Sequence, residues 1–535
     1  LLIGMLACTA LVGCTSEDSP EVNNEVKQGS EYYMAVNFSM AGSASSRASF
    51  QDGVYENGDA EIAVTSAVFH FLDAAGNACA IPCTVKDLTW TAMNGASSVE
   101  KKSGKVIVMR NPTSIPASII AILNPTKEME TQSSLSTLTS MANDYATKAL
   151  TTSGAFIMSN SVYMNSNKEA VIGTPVTNEN LYVTTVGQNG TEPTDEEILK
   201  AIKPVTIPVE KVVAKVNVTD KKDNEGKSAV TVSGTGVNLD GAETATNLDV
   251  VITGWWLDRT NPQSYLLKKI DTSWAGTWWN HVDYKRSYWA TAYTPTAYTH
   301  YAYSTATTDD KYCLENTNQT NHTQVVVAAK LQQNGKEVSL IKWRNNFYTE
   351  EGFKAEFINL AEVQQYYTRT GDAAPYTYET VDEDDLDFTY NTTSNTTGKG
   401  LKDYQAQVVL KSGVTVYKKV NGTFGDPETT ANVNEVLSGL ATVQFWQDGQ
   451  TYYYTSIKHS DSTEDTGKMA EFGVVRNHLY KLTINSITGL GTPVPNKDLV
   501  IVPGNVTDET EYSYIAAEVE VLQYKVVSQD VDLGK

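Results

Sequence analysis

The chain has 535 residues, more than one ordinary domain needs, and 41% of them are hydrophobic, which is enough to build a buried core. Its 41 basic and 63 acidic residues give a formal net charge of −22, which disfavours binding to nucleic acid. The five cysteines (Cys8, Cys14, Cys79, Cys83 and Cys313) have neither the spacing of a disulfide framework nor that of a zinc site. Cys79 and Cys83 are four positions apart, and the sequence does not decide whether they form a disulfide bond.

The chain starts with an apolar, uncharged run over residues 1–13. This run is too short to cross a bilayer and is typical of the hydrophobic part of a secretory signal peptide. It ends in Leu11-Val12-Gly13-Cys14, which resembles a bacterial lipobox. We therefore expect residues 1–14 to be a lipoprotein signal peptide and the Cys14 thiol to take the lipid. The alternative is a plain signal peptide with a chance cysteine.

The first strand pattern covers residues 33–40. Met34, Val36, Phe38 and Met40 alternate with small or polar residues, which predicts a strand with one buried face. A loop-like segment with a single arginine follows, and exposed loops of this kind are preferred protease sites. An Arg-specific protease would cut it between Arg47 and Ala48, so residues 15–47 are predicted to be a propeptide. An ordinary linker is the alternative.

Short strand patterns separated by turn signals such as Asn189-Gly190 and Asn334-Gly335 fill the rest of the chain, which predicts an all-β fold of sandwiches or barrels. Helix patterns are few and short: residues 135–145, 194–202, 359–367 and 431–440. The second of them starts with Thr194-Asp195-Glu196-Glu197, which resembles a capping box. A boundary near Lys203-Pro204 gives an N-terminal domain over residues 48–207 and a C-terminal domain over residues 208–535. The second domain would start with one long strand, 209–218, and would carry surface insertions at 369–400 and 274–303.

The tail over residues 515–535 has a near-continuous strand pattern, longer than the usual ~3–10 residues. An apolar terminal strand of this length needs an acceptor. If a cut at Arg47 released strand 33–40, the tail of a second copy could fill the groove by strand addition, and such head-to-tail contacts produce a filament. The alternative is that the tail pairs within its own domain. The predicted donor residues are Val519, Val521, Tyr524, Val527, Val531 and Leu533.

Several short motifs, weak singly but specific in their order, connect the chain with a known family. They are residues 121–125 (AILNP), 156–160 (FIMSN), 209–216 (VEKVVAKV), 256–258 (WLD), 260–262 (TNP), 312–317 (YCLENT), 474–480 (VVRNHLY), 488–492 (TGLGT) and 529–533 (QDVDL), together with Cys14 and Arg47-Ala48. With this set the chain resembles the fimbrilins of Bacteroidales, most closely the major-subunit type of the short (minor) fimbriae.

The resemblance implies two tandem transthyretin-like β-sandwich domains with a few short helices. It also implies an outer-membrane lipoprotein precursor lipidated on Cys14, cut at Arg47-Ala48 and polymerised by strand exchange through residues 519–533. The expected partners are copies of the chain, accessory anchor and tip subunits, an Arg-specific processing protease, and host or bacterial surface receptors. The implied role is a structural shaft subunit of a surface fimbria (pilus) that supports adhesion, biofilm formation and virulence.

The sequence contains no pattern that is typical of catalysis or of metal binding. The six histidines have no metal-binding spacing, and nucleophile-elbow and phosphate-loop motifs are absent, so we expect no enzyme and no cofactor. The acidic run 382–387 lacks the spacing of a calcium-binding EF-hand loop. A tryptophan-rich stretch supports the alternative of a surface glycan-binding lipoprotein, although packing in the core and between sheets is the favoured explanation of these residues. An accessory or tip subunit is the other alternative. The tryptophans of this stretch are Trp255, Trp256, Trp274, Trp278, Trp279 and Trp289.

Overall fold

The computed structural model is mostly β-strand with a few short helices, which confirms the all-β prediction. The residues that it describes are 30–39, 50–51, 63–80, 82–86, 90–92, 100–131, 134–145, 156–164, 169–185, 193–270, 290–390, 404–405, 407–459, 472–498, 500–503, 514–522 and 526–529. Within these ranges, no helix combines the length and the apolar composition needed to cross a membrane.

Among its described residues, the N-terminal part contains strands β1 to β14 and three helices. The strands are β1 (Ser30–Ser39), β2 (Phe50–Gln51), β3 (Ser66–Leu72), β4 (Cys83–Lys86), β5 (Trp90–Ala92), β6 (Glu100–Arg110), β7 (Ser118–Leu123), β8 (Ala142–Asn143), β9 (Met158–Asn160), β10 (Tyr163–Met164), β11 (Ala170–Val171), β12 (Thr174–Pro175), β13 (Tyr182–Thr185) and β14 (Val205–Lys211). The helices are α1 (Lys127–Glu130), α2 (Leu135–Ser140) and α3 (Asp195–Ala201). Helix α3 opens with the predicted capping box of Thr194 and Glu197.

The N-terminal sheet has the strand order β4-β3-β7-β9-β14-β1-β6-β5, with β12 added to β7 and β13 added to β1. Strands rich in isoleucine, valine and phenylalanine suit such a sheet because branched and aromatic side chains pack well on a pleated surface. Phe69, Phe71, Ile120 and Ile122 are at most 1% exposed and lie in one large core. This core continues to Val212 and Val213, where the chain leaves the sheet.

The C-terminal part starts with β15 and is interrupted after β24. Its first strands are β15 (Ala214–Asp220), β16 (Thr231–Ser233), β17 (Gly236–Val237), β18 (Thr246–Asn247), β19 (Asp249–Asp258), β20 (Ser264–Tyr265), β21 (Tyr301–Ala302), β22 (Lys311–Cys313), β23 (Gln324–Gln333) and β24 (Lys336–Glu337). The predicted long strand 209–218 is wrong. It is divided between β14 and β15, which belong to different sheets.

An inserted unit, called the insertion below, follows β24 and spans residues 338–446. Its strands are β25 (Leu340–Trp343), β26 (Asn346–Tyr348), β27 (Tyr366–Thr370), β28 (Thr377–Thr380), β29 (Leu386–Thr389), β30 (Tyr404–Gln405), β31 (Gln407–Leu410), β32 (Val416–Val420), β33 (Thr423–Phe424) and β34 (Thr442–Trp446), and its helices are α4 (Glu350–Ile358), α5 (Ala361–Gln364) and α6 (Thr430–Leu440). Phe353, Phe357, Val408 and Leu437 belong to a core of its own. The insertion is therefore a packed unit that includes residues 369–390 of the predicted surface insertion 369–400, whose last ten residues lie outside the described ones.

The remaining strands complete a β-sandwich. They are β35 (Gln450–Ser456), β36 (Leu479–Thr488), β37 (Thr492–Pro493), β38 (Val500–Ile501), β39 (Tyr514–Leu522) and β40 (Val526–Gln529). One sheet has the order β2-β40-β39-β36-β15-β22, with β16 on β36, and the other has the order β19-β23-β35-β37, with β24 on β23. Val216 and Leu482 of the first sheet share a core with Val327 and Tyr453 of the second.

The described cysteines are all free thiols. Cys79 and Cys83, whose pairing the sequence left open, are not bonded to each other, and neither is bonded to Cys313. Burial raises the pKa of each thiol, to about 12 for Cys313. Thiols of this kind stay protonated at neutral pH and behave as small hydrophobic groups.

Candidate functional site: the first strand and the C-terminal tail

The first strand lies in the interior of the N-terminal sheet. β1 runs antiparallel to β6, with Met34 opposite Ile107, and parallel to β14, with Val36 opposite Val205. Its start also pairs with β13. Because both backbone edges of β1 are hydrogen-bonded, its removal would leave unpaired N–H and C=O groups on β6 and on β14.

The predicted displaced residues of β1 are buried in the N-terminal core. Met34, Val36 and Phe38 are 0%, 1% and 3% exposed, and the ring of Phe38 stacks on that of Phe69 with centroids 6.0 Å apart. At about 1.5–3 kcal/mol for each side chain, the burial of these three contributes roughly 5–9 kcal/mol. Met40, the fourth predicted residue, lies outside the described residues.

The opposite face of β1 is buried as well, so the prediction of a strand with one buried face is wrong. Tyr33 and Ala35 pack against Ile198 of α3 and against Ile202. The alternation in the sequence does identify the inner face. It cannot reveal that a helix far along the chain covers the outer face.

The C-terminal tail forms one side of the second sheet. β39 pairs antiparallel with β36, with Val519 opposite Leu482 and Val521 opposite Tyr480. β40 folds back on β39, with Val527 opposite Val521. The predicted near-continuous strand is therefore a hairpin of two strands. In this single chain the tail pairs within its own part of the molecule, which was the alternative arrangement.

Both flanks of the tail are tied to other strands. Before the tail, β38 pairs with β21, and Nη2 of Arg259 donates a hydrogen bond of 2.5 Å to the carbonyl oxygen of Pro503. At the outer side of the hairpin, β2 pairs with β40, with Phe50 opposite Val527. β1 and β2 thus lie in different sheets, and the predicted cut falls on the segment that connects them.

Several predicted site residues lie outside the described residues. They are Cys14, Arg47, Ala48, Tyr524, Val531 and Leu533. Lipidation, cleavage and strand donation therefore stay predictions.

The part of the chain that holds β36 and the tail matches a known family. Residues 444–530 match the family model described as the C-terminal region of fimbrillin, major fimbrial subunit protein type IV. Over these residues the chain is similar to the fimbrillins. The predicted resemblance to this family is confirmed, while the short-fimbriae type stays a prediction. No curated protein matches the chain.

Solved structures similar to this chain include three with low identity. A candidate cell adhesion protein from Parabacteroides distasonis is 12% identical over 94% of this chain and 98% of that one, with a TM-score of 0.36. The fimbrilin FimA from Porphyromonas gingivalis is 10% identical over 94% and 99%, with a TM-score of 0.33. The tip fimbrial protein Mfa3 from Porphyromonas gingivalis is 11% identical over 91% and 99%, with a TM-score of 0.29. These scores are too low to support conclusions about function.

The fimbrillin region contributes a buried arginine that contacts strands outside that region. Arg476 is 0% exposed, and its Nη2 lies 2.5 Å from Oε2 of Glu315. It also donates hydrogen bonds to the carbonyl oxygens of Leu266 and Tyr265, at 2.9 and 2.6 Å. Burial opposes the charge, but the carboxylate of Glu315 raises the pKa of Arg476, so the side chain stays a cation. Glu315 and these hydrogen bonds compensate for its burial.

A second buried ion pair connects the N-terminal sheet with the C-terminal part. Nζ of Lys268 lies 2.8 Å from Oε2 of Glu210 in β14, and both side chains are 1% exposed. Next to this pair, the backbone N–H of Asn477 donates to the carbonyl of Val213 at 2.8 Å. We call the group Glu210, Lys268, Glu315, Arg476 and Asn477 the joint. Because a half-broken buried network is costly, the joint favours one arrangement of the two parts.

Four of the motifs that carried the family resemblance meet at the joint: 209–216, 260–262, 312–317 and 474–480. Asn316 donates to the carbonyl of Arg259 at 3.0 Å, and Asn261 donates to the carbonyl of Glu315 at 3.1 Å. Position 473 needs a glycine, because the Cβ atom of any other residue would lie 2.5 Å from the carbonyl oxygen of Asn316 and clash with it. No structural role was predicted for these motifs. Their polar residues, placed at the ends of apolar strands, were the sequence feature that could have indicated a buried hydrogen-bond network.

Proposed function

We propose that this chain is a structural, non-enzymatic shaft subunit of a surface fimbria. It is exported as a lipoprotein on Cys14, cut between Arg47 and Ala48, and polymerised by strand exchange. The tail over about 515–535 then takes the place of β1 in the next copy. The short-fimbriae type, the two-domain division near residue 207 and a role in adhesion and biofilm formation belong to the same proposal.

The position of β1 is the observation that carries the proposal. Because the proposed cut lies between β1 and β2, it would leave β1 held in its sheet only by non-covalent contacts. Its departure would open a gap one strand wide between β6 and β14. A strand from another copy that fills this gap restores both backbone ladders and the apolar contacts.

The tail supports the proposal through its position at one side of a sheet. β39 and β40 join the remainder of that sheet through β36. Detachment of this segment separates one long strand, β36, and on the outer side only the two-residue strand β2. Since donor and acceptor surfaces lie on different parts of the chain, the contact does not close on itself and produces a filament.

The experiment treats the purified chain, residues 15–535, with an Arg-specific protease and follows assembly by size-exclusion chromatography and electron microscopy. We expect fibres from the wild-type chain and none from Arg47→Ala or from a chain that lacks residues 515–535. Arg344→Ala, which removes another exposed arginine, is the matched control and should assemble normally. Fibres from the uncut Arg47→Ala variant, or from the tailless chain, would contradict the mechanism.

A tip or accessory subunit is the second candidate, because the insertion adds a packed unit to the sandwich. The two candidates differ in where the protein sits on the fibre. Immunogold labelling with an antibody to the insertion should decorate the whole length for a shaft subunit and the ends for a tip subunit.

A further inference from the structure

One face of a small sheet in the insertion points away from the core of the insertion. The strands lie in the order β28-β27-β32-β33. Tyr366 and Val416 are 2% and 1% exposed and pack into the core of the insertion. Because side chains alternate along a strand, Tyr367, Arg369 and Tyr417 lie on the opposite, outer face.

Five aromatic side chains gather on this outer face, which we call the aromatic face: Tyr367, Tyr376, Tyr378, Tyr417 and Phe424. The rings of Tyr378 and Phe424 stack with centroids 3.7 Å apart, and Tyr367 meets Phe424 edge-on at 5.1 Å. Tyr376 is 38% exposed. Packed aromatic rings of this kind form a rigid apolar surface at low cost in side-chain entropy.

Arg369 lies among these rings with its hydrogen-bond donors unused. Its guanidinium carbon is 4.2 Å from the ring centre of Tyr376 and 4.9 Å from that of Tyr417. Contacts with ring faces use none of the N–H groups of a guanidinium, so these donors stay available for a ligand. Among the described residues, Arg369 has neither an ion pair nor a hydrogen bond. Lys419, 5.5 Å from the ring of Phe424, also has no carboxylate partner within that part of the chain.

Size and charge determine which ligand fits. The sheet has strands of at most five residues, so its face measures about 17 Å by 14 Å, roughly 240 Å². A stable protein interface needs about 800 Å² from each partner, which is well above this area. Two unpaired cations on a chain of net charge −22 favour a small anion. The ring surface favours a ligand with an apolar face.

We propose that the aromatic face binds a carboxylated sugar. The sugar ring packs on Tyr376 and its neighbours, and its carboxylate accepts two hydrogen bonds from the edge of the Arg369 guanidinium. Lys419 adds positive charge. Paired hydrogen bonds between arginine and a carboxylate are among the stronger polar contacts, and aromatic surfaces with a few polar groups are typical ligand sites. The site is remote in sequence from β1 and from the tail, so it does not depend on polymerisation.

The test measures binding of 3′-sialyllactose to the chain over residues 15–535 by titration calorimetry, with neutral lactose and a glutamate-rich peptide as the other ligands. We expect saturable binding of sialyllactose with a Kd on the order of 1 mM and binding of lactose at least about tenfold weaker. Arg369→Gln and Tyr376→Ala should each lower affinity for sialyllactose about tenfold. Arg369→Lys, which keeps the charge but not the planar fork, should lie between these variants and the wild type.

The matched control is Arg344→Gln. Arg344 is also exposed in the insertion and stacks on one ring, 4.5 Å from the centre of Trp343. This variant should keep wild-type affinity within about twofold, and unchanged circular dichroism should show that every variant is folded. Equal binding of lactose, no binding of sialyllactose, or equal losses in Arg344→Gln would overturn the proposal. Tighter binding of the acidic peptide would overturn it too and would assign the face to a protein partner.

Discussion

β1 and the C-terminal hairpin are both strand segments with many apolar residues, but they occupy opposite kinds of position. β1 has a long neighbour on each side and buried side chains on both faces. The hairpin of β39 and β40 joins its sheet through β36, and the two-residue strand β2 lies at its outer side. Loss of β1 opens a sheet in its interior, whereas loss of the hairpin shortens a sheet from one side. The two ends of the chain therefore differ in how much structure depends on each of them.

The largest expected effect comes from deleting each segment in turn. A chain that starts at residue 50 loses roughly 5–9 kcal/mol of apolar burial with β1, in addition to two backbone ladders. We expect β6 and β14 to lose protection from hydrogen–deuterium exchange, and an added peptide of residues 30–39 to restore it. A chain that ends at residue 503 should keep that protection. Equal loss in both chains would break the comparison.

The second prediction concerns the joint. It connects the N-terminal sheet, which contains β1, with the C-terminal part, which contains the hairpin. Glu315→Gln leaves the buried Arg476 without its counter-charge and should reduce the free energy of unfolding by about 3–5 kcal/mol in urea titrations. The matched control is Glu196→Gln, whose exposed pair with Lys200 should contribute less than about 1 kcal/mol. If Glu315→Gln lowers the free energy of unfolding no more than Glu196→Gln does, the joint does not contribute to stability.

A single substitution in β1 tests how firmly the strand is held. Met34→Ala leaves a cavity at a position that is 0% exposed and should cost about 3 kcal/mol of unfolding free energy. Asn37→Ala, on the same strand but only half-buried, should stay within about 0.5 kcal/mol of the wild type. Similar losses from both, measured by urea unfolding, would mean that β1 is packed loosely.

The smallest expected effect is a pH dependence in the strand on which the hairpin rests. Burial lowers the pKa of His459 to about 3, and its Nδ1 lies 2.7 Å from the hydroxyl of Tyr480 in β36. The unfolded chain, with a histidine pKa of about 6.5, binds the proton more readily, so stability falls as pH drops below that value. His459 should account for about 2 kcal/mol of the loss between pH 7 and pH 5. Urea titrations of His459→Gln at both pH values should show a pH dependence smaller by that amount.

Local patterns in the sequence predicted local structure well. The alternation of Met34, Val36 and Phe38 identified β1 and its inner face, and the capping box identified α3. Both signals arise between residues a few positions apart, where backbone geometry fixes which side chains meet. The helix predicted at 359–367 was only partly right, because α5 covers Ala361–Gln364 and α4 ends just before it.

Long-range features escaped the sequence analysis for a physical reason. Three of these features depend on contacts between residues far apart in the chain. They are the packing of α3 on the outer face of β1, the division of residues 209–218 between two sheets, and the joint. The hairpin in the tail was missed because neither glycine nor proline marks a break between β39 and β40. The position of β1 as a buried strand was therefore predictable from the sequence. The folding of the tail into the hairpin of β39 and β40 was not.

The insertion enters and leaves the sandwich between β23 and β35, which are paired neighbours with Lys330 opposite Gln450. Its chain ends are therefore close together, so its length and composition can change with little strain on the sheet that carries it. In a filament, every subunit would display one such unit at a constant spacing. Contacts too weak to hold a cell singly would then act jointly, and avidity would grow with the length of the filament.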